Sequence, residues 1–172
     1  MPGQNSAYRR DVLLSFGDEL NILLLNETML NWKLAEKGFL MGLEPEMKYS
    51  HINEHKLSSI SIGHYHWHRC FGALRPKVFN WSLLKRTVYL LFLAGQPFLR
   101  FARFARFIHR KRPAMRTTFW RNSFAIFMVQ IACSLGIGMG MLFGVGDATE
   151  QFTKFETHEY RSYEFVHGLM PK

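Results

Sequence analysis

The stretch FAIFMVQIACSLGIGMGMLFGVG, residues 124–146, contains 23 residues without a charged side chain. At about 1.5 Å of rise per residue, a helix of this length spans about 34 Å, and the hydrocarbon core of a bilayer is about 30 Å thick. We therefore predict a transmembrane helix within residues 119–146. The alternative is a buried helix of a soluble domain, but a helix this apolar on all sides is unusual in a 172-residue chain.

Three glycines within this stretch, Gly136, Gly140 and Gly144, follow one another at four-residue spacing. On a helix they lie on one face, where small residues allow the close approach of a second helix. The pattern predicts a helix–helix partner at this face. The alternative is that glycine is simply tolerated in lipid.

The segment before the apolar stretch, RFARFARFIHRKR at residues 100–112, alternates basic and apolar residues at helical spacing. The bases on one arc are Arg100, Arg103, Arg106 and Arg110. We predict amphipathic helices over residues 76–118 that lie at the membrane interface, with these arginines on anionic phospholipid headgroups. Binding to RNA is the competing interpretation, but the adjoining apolar stretch makes it the weaker one, so we expect no nucleic-acid partner.

The charges divide the chain into three zones. Residues 55–146 hold 14 basic residues and no acidic one, whereas residues 1–54 carry a net charge of −3 and residues 147–172 a net charge of −2. A basic zone of this size predicts an anionic surface as its neighbour. The positive-inside rule places the basic helices on the cytoplasmic side, and residues 147–172 are predicted to form an acidic amphipathic tail.

The cysteines and histidines give no specific site. The cysteines, Cys70 and Cys133, are too few for a disulfide framework, which favours a reducing compartment. The run HYHWH places His64, His66 and His68 on one side of a strand, whereas on a helix only His64 and His68 would share a face. Because no cysteine or carboxylate is placed to complete a ligand set, we predict histidines at the surface and no metal site in this chain.

The N-terminal zone combines a leucine-rich helix with two predicted strands. Leucines recur on one face over residues 20–37, and Gly38 is a natural stop. Strands are predicted at residues 39–43 and 47–52, around the turn Glu44-Pro45-Glu46. Residues 1–75 are therefore predicted to have an α/β fold.

Glu27 interrupts the leucine face of this helix, seven residues after Leu20 and seven before Leu34. A carboxylate withdrawn from water needs a partner or changes its protonation, and beside a cleft it is a candidate general base. The structural alternatives are a position at the local edge of the leucine face and an ion pair with Arg9 or Arg10.

The motifs of residues 2–54 resemble the C-terminal part of the catalytic domain of bacterial family 2 glycosyltransferases. That family has a G-x-N-x-x-YRR loop, a helix with an acidic pair, a glycine, a Y-E-P turn and a histidine. The matching residues are Gly3, Asn5, Tyr8, Arg9, Arg10, Asn26, Glu27, Gly38, Pro45 and His51. The FGVGDATEQF stretch extends the resemblance more loosely to about residue 165.

The resemblance implies an inverting transfer of a sugar from a nucleotide-sugar donor to a cell-surface glycan or lipid acceptor, at the bacterial inner membrane. Glu27 takes the place of the base, although Asn26 stands where an acid is usual. Arg9 and Arg10 would hold the diphosphate or an anionic lipid acceptor, and Asn5, Tyr8, Asn26 and His51 complete the substrate-binding set.

The donor side of such an enzyme has no counterpart in this sequence. The aspartates are Asp11, Asp18 and Asp147, so no metal-binding DxD motif occurs. We expect no cofactor in this chain, a divalent metal in the nucleotide-binding half, and no transfer by these 172 residues alone. The alternative function is a non-catalytic membrane-anchoring or interaction protein.

Overall fold

The structure, a computed structural model, describes residues 6–42, 44, 46 and 56–157, the last three of them as backbone only. The chain divides into two compact units, Met1–Ile52 and Asn53–Lys172. Described elements of the first unit are the helices α1 (Arg10–Leu14), α2 (Glu19–Leu24) and α3 (Glu27–Glu36). Those of the second are α4 (Leu57–Val78), α5 (Leu83–Leu93), α6 (Gln96–Lys111), a 3₁₀ turn (Pro113–Met115), α7 (Arg116–Arg121), α8 (Ser123–Phe143) and α9 (Ala148–Thr157).

The predicted α/β fold is wrong for the part of the chain that the structure describes, because every regular element there is helical. Residues 39–42, at the start of the first predicted strand, are irregular, and Leu40 is 99% exposed. An extended segment with no pairing neighbour and no buried face lacks the contacts that stabilise a strand. The second predicted strand, residues 47–52, lies outside the described residues.

The predicted helix over residues 20–37 is two helices, α2 and α3, because Asn26 is extended (φ −153°, ψ 101°). On either side of this break Leu23, Leu30 and Leu34 are buried, as the leucine pattern predicts, whereas Leu24 is half exposed. The extended residue interrupts the helical rotation between α2 and α3. The leucines of the two helices therefore do not form one continuous face.

Gly38 ends α3, as predicted. Its φ is +83°, its N–H donates to the Ala35 carbonyl, and the Phe39 N–H donates to the Leu34 carbonyl. These two bonds form a Schellman motif, which satisfies carbonyl groups that the helix leaves without partners.

Helices α4 and α8 run in the same direction and make close backbone contact. Gly136 faces the backbone of Tyr65, and Gly140, one turn further along α8, faces the backbone of Arg69, one turn further along α4. The second helix that approaches these two glycines is therefore α4 of the same chain. Gly144 lies outside this contact: its φ is +79°, and it ends α8.

A third glycine contributes to the contact from the side of α4. A Cβ atom added to Gly72 would lie 2.8 Å from the Cα of Ile137, and one added to Gly140 would lie 2.7 Å from the backbone nitrogen of Ala73. Real Cβ atoms do not approach backbone atoms so closely, so both helices need glycine where they meet.

Helices α5 and α6 return along α8 in the opposite direction. Leu93 at the end of α5 lies against Gly138, and Phe98 and Phe101 of α6 contact Phe127, nearer the start of α8. The break between α5 and α6 falls at Ala94-Gly95, and Pro97 follows in the first turn of α6, where its missing N–H has no cost. The second unit is therefore built around α8, with α4 on one side and α5 and α6 on another.

The end of α8 is held to α4 by an ion pair. Arg69 Nη1 lies 3.1 Å from Asp147 Oδ1, and Arg69 Nε donates to the Gly144 carbonyl at 3.2 Å. The Arg69 side chain is only 16% exposed, so its charge requires a partner. Asp147 is the first acidic residue after the 92 acid-free residues 55–146, and it supplies that partner.

We expect Gly140→Ala to destabilise the second unit, because its new methyl group would overlap the backbone of Arg69 and Ala73. Overpacking of this kind costs about 1–3 kcal/mol. Gly95→Ala is the matched control: its Cβ would lie 3.6 Å from the Phe92 carbonyl oxygen, an ordinary contact, and should change stability by less than about 0.5 kcal/mol. Thermal and denaturant unfolding in detergent measure both, and equal stabilities would contradict the close contact.

Candidate functional site

A hydrogen bond connects the predicted substrate loop to helix α3. The Tyr8 hydroxyl donates to Asn31 Oδ1 at 3.0 Å, across 23 residues of sequence. Tyr8 is half-buried, and Asn31 is buried at 8% exposure. Asn31 lies four residues after Glu27 and therefore one turn further along the same side of α3. The bond places the loop that precedes Arg9 and Arg10 against the helix that begins with Glu27.

Glu27 is the first residue of α3, not a residue in the middle of a longer helix as the sequence predicted. It is half-buried. The N–H groups of a first helical turn favour a negative charge, so this position suits a carboxylate, the form in which a general base acts. The predicted base therefore lies at a helix N-terminus and not in the middle of a leucine face.

Asn26 takes the buried position that the sequence analysis gave to Glu27. It is only 1% exposed, and neither Asn26 Nδ2 nor Asn26 Oδ1 has a hydrogen-bond partner among the described residues. Its side chain also does not cap α3. A buried amide without partners is costly, by about 1–3 kcal/mol. The predicted pair Asn26-Glu27 therefore consists of one buried neutral residue and one half-buried acid.

The two predicted phosphate-binding arginines are at the surface. Arg9 Nη2 forms an ion pair with Asp11 at 2.6 Å, with 78% of the arginine side chain exposed, and the bonded guanidinium lowers the pKa of the Asp11 carboxyl. Arg10 is exposed at the start of α1. Asn5 and His51, the remaining predicted substrate-binding residues, lie outside the described residues.

Helix α6 carries the predicted basic face. Arg103, Arg106 and Arg110 are exposed, and Arg100 is half-buried. Ile108 is buried on the opposite side, and Phe104 and Phe107 are 40% and 50% exposed. The helix therefore presents charge and apolar surface together, as an interfacial helix does.

Large apolar side chains are exposed along α5, α6 and α8. Seven are 65–78% exposed: Leu83, Leu84, Leu91, Phe92, Phe98, Phe124 and Phe143. By length and composition α8 can cross a membrane, a test that the core helix of a soluble protein also passes, but only 28% of its apolar window is buried. Exposed apolar surface of this extent indicates an interaction surface.

A groove of about 570 Å³ lies between α5, the start of α6 and α8. Its walls are apolar side chains, among them Leu93, Pro97, Ile131 and Met139, with Ser134 as the polar exception. The Ser134 hydroxyl is buried and has no hydrogen-bond partner among the described residues. The groove extends the exposed apolar surface inward between these three helices of the second unit.

The histidine run lies on a helix, so the strand alternative is wrong for these residues. His64 and His68 share one side of α4, and the close packing of α8 brings Cys133 to them. The ligand atoms of these three residues lie within 4.8 Å of one another. The sequence analysis found no cysteine placed to complete a ligand set. Cys133 is 65 residues away in sequence from His68, and no local pattern could have connected them.

The surroundings of His68 keep its ring neutral. Burial lowers its pKa to about 3, and its Nδ1 lies 2.8 Å from the His64 carbonyl oxygen. Because a carbonyl only accepts, the hydrogen bond places the ring proton on Nδ1 and leaves the Nε2 lone pair available. In this tautomer Nε2 can bind a metal ion while Nδ1–H remains bonded to the backbone.

No protein-family model, curated protein or solved structure matches this chain, so its function has to be argued from its own residues.

We expect Tyr8→Phe to destabilise the first unit by about 0.5–1.5 kcal/mol, because it removes one hydrogen bond and leaves the buried Asn31 oxygen without its donor. Asn31→Leu in the Tyr8→Phe background removes both polar groups. The double variant should be less destabilised than the sum of the single variants. Urea unfolding measures all three, and strict additivity would contradict a hydrogen bond between the two side chains.

Proposed function

We propose that this chain supplies the acceptor side of a membrane-attached glycosyltransferase of the bacterial family 2 type, with Glu27 as the general base. The observation that carries the proposal is the hydrogen bond from Tyr8 to Asn31, which joins the YRR loop to the helix that begins with Glu27. The order of motifs from Gly3 to His51 supports the same assignment.

The proposed step is an inverting displacement. A Glu27 carboxylate oxygen accepts the proton of an acceptor hydroxyl, the acceptor oxygen forms a bond to the anomeric carbon of the donor sugar, and the bond from that carbon to the diphosphate breaks. The base acts on the face of the sugar opposite the leaving group. The partial exposure of Glu27 supports this role, because the residue is accessible to a substrate and partly withdrawn from water.

The arginines of the first unit support binding of an anionic substrate. Arg10 is exposed, and Arg9 is held beside Asp11 by an exposed ion pair, which is a weak interaction that a phosphate can replace. A guanidinium group can donate two parallel hydrogen bonds to the oxygens of one phosphate. We assign both arginines to a diphosphate or to the headgroup of an anionic lipid acceptor.

The second unit attaches the chain to an anionic membrane. The exposed apolar side chains of α5, α6 and α8 suit acyl chains, and the arginines of α6 suit phosphate headgroups. The 14 basic and zero acidic residues of positions 55–146 favour the cytoplasmic face of a bacterial membrane. A lipid-linked acceptor would be concentrated at this surface.

A second candidate function is a non-catalytic membrane-binding module. It is favoured by one observation: residues 53–172 form a compact unit with a helix pair of their own and an exposed apolar surface, separate from the unit that carries Glu27. Both candidates predict membrane binding, and only the first predicts that Glu27 is needed for chemistry.

We expect Glu27→Gln to lower sugar transfer by about 100-fold or more, the usual contribution of a general base. Glu36→Gln is the matched control, because Glu36 lies in the same helix, is more than half exposed and forms a surface ion pair with Lys33. Both variants are introduced at the native gene. Transfer of labelled sugar from a panel of nucleotide sugars is measured in membrane fractions.

The control variant should retain activity within about twofold, since surface pairs contribute little. Full activity of Glu27→Gln would exclude Glu27 as the base. A wild-type membrane fraction that transfers no sugar from any donor in the panel, while the protein is present and membrane-bound, would favour the non-catalytic module.

We expect the triple variant Arg103→Gln, Arg106→Gln and Arg110→Gln to bind anionic vesicles more weakly, because each arginine near the surface contributes about 1 kcal/mol. Flotation with phosphatidylglycerol vesicles measures the bound fraction of each protein. The difference between the wild type and the variant should diminish as the salt concentration rises. Vesicles of phosphatidylcholine are the control and should bind both proteins equally. Equal binding to anionic vesicles would contradict a headgroup contact of α6.

A further inference from the structure

Three side chains that bind metal ions in proteins meet between α4 and α8. They are His64 and His68 on one side of α4 and Cys133 on α8, with their ligand atoms within 4.8 Å of one another. We propose that these three residues bind one divalent zinc-class ion. The site belongs to the second unit, and it does not depend on the glycosyltransferase proposal.

The spacing of the two histidines suits a shared ion. Residues four apart on a helix lie one above the other, and the two imidazole centroids are 5.9 Å apart. A separation of this size allows an ion between the rings after small side-chain rotations. His66, between them in sequence, lies on a different side of α4.

The tautomer of His68 is already that of a ligand. Its Nδ1–H donates to the His64 carbonyl at 2.8 Å, so the Nε2 lone pair is available for the ion. Metal-binding histidines in proteins usually donate their other N–H to a carbonyl or carboxylate, which fixes the ring orientation. The backbone of α4 gives this support before any ion binds.

Cys133 supplies the sulfur ligand that selects the class of metal. It is a free cysteine, 3% exposed, on the part of α8 that packs toward α4. Two imidazoles and one thiolate are borderline-soft ligands that favour Zn²⁺ over Mg²⁺ or Ca²⁺. His64 is exposed, so the site is open at the surface of the helix pair.

When the ion binds, the S–H bond of Cys133 breaks and coordination bonds to the ion form. The Cys133 thiol loses its proton to solvent, the thiolate sulfur binds the ion, and the two neutral imidazoles replace water ligands of the ion. Three protein ligands leave a fourth position for water. Because the ligands come from both helices, the ion links α4 to α8 at a second place beside the glycine contact.

The test uses the purified full chain in detergent, with Co²⁺ as a spectroscopic probe and Zn²⁺ as a competitor. We expect one Co²⁺ per chain, a thiolate-to-cobalt charge-transfer band, its loss on addition of Zn²⁺, and release of one proton per ion at neutral pH. Cys133→Ser should abolish the band. The matched control is Cys70→Ser, since Cys70 is also a buried free cysteine but contacts Thr149 instead.

A second pair of variants decides the question if Cys133→Ser fails to fold. His64 is exposed, so His64→Ala should keep the far-ultraviolet circular dichroism of the wild type and weaken Co²⁺ binding at least tenfold. His66→Ala is its control and should bind as the wild type does. Any one of three results would overturn the proposal. These are a wild-type chain without the charge-transfer band, a band that persists in Cys133→Ser, and unchanged Co²⁺ binding by His64→Ala.

Discussion

The backbone contact between α4 and α8 is the constraint on which the second unit depends. Gly72, Gly136 and Gly140 remove the side chains that would hold the two helices apart, and the backbones meet at these positions. Backbones that meet this closely stabilise the helix pair by van der Waals packing. Small residues at the contact maximise that packing.

The same contact determines where chemistry can occur in this unit. Helices α4 and α8 are parallel, and successive turns of α8 meet successive turns of α4. Arg69 therefore reaches the end of α8 and pairs with Asp147, and Cys133 reaches the histidines of α4. A larger residue at Gly136 or Gly140 would separate both pairs at once. The packing of the helices and the proposed metal site are therefore properties of one arrangement.

Charge and apolar surface explain the rest of the second unit. In water the 14 basic residues of positions 55–146, with no acidic residue among them, would repel one another, and the exposed leucines and phenylalanines would stay in unfavourable contact with solvent. In the proposed membrane attachment, headgroups would neutralise the arginines and acyl chains would cover the apolar side chains. In the first unit the decisive local event is the break at Asn26, which turns Glu27 into the first residue of α3.

The sequence by itself determined the features that depend on neighbouring residues: the apolar helix α8, the amphipathic helix α6, the Gly38 stop and the burial of Leu23, Leu30 and Leu34. It predicted strands after Gly38 that are not formed at residues 39–42, because strand formation depends on a partner that local pattern does not specify. Only the tertiary structure placed Asn26 in the buried position and brought Cys133 to His64 and His68. Contacts across tens of residues depend on how whole helices pack, and that information is spread over both surfaces and is not contained in any one stretch of sequence.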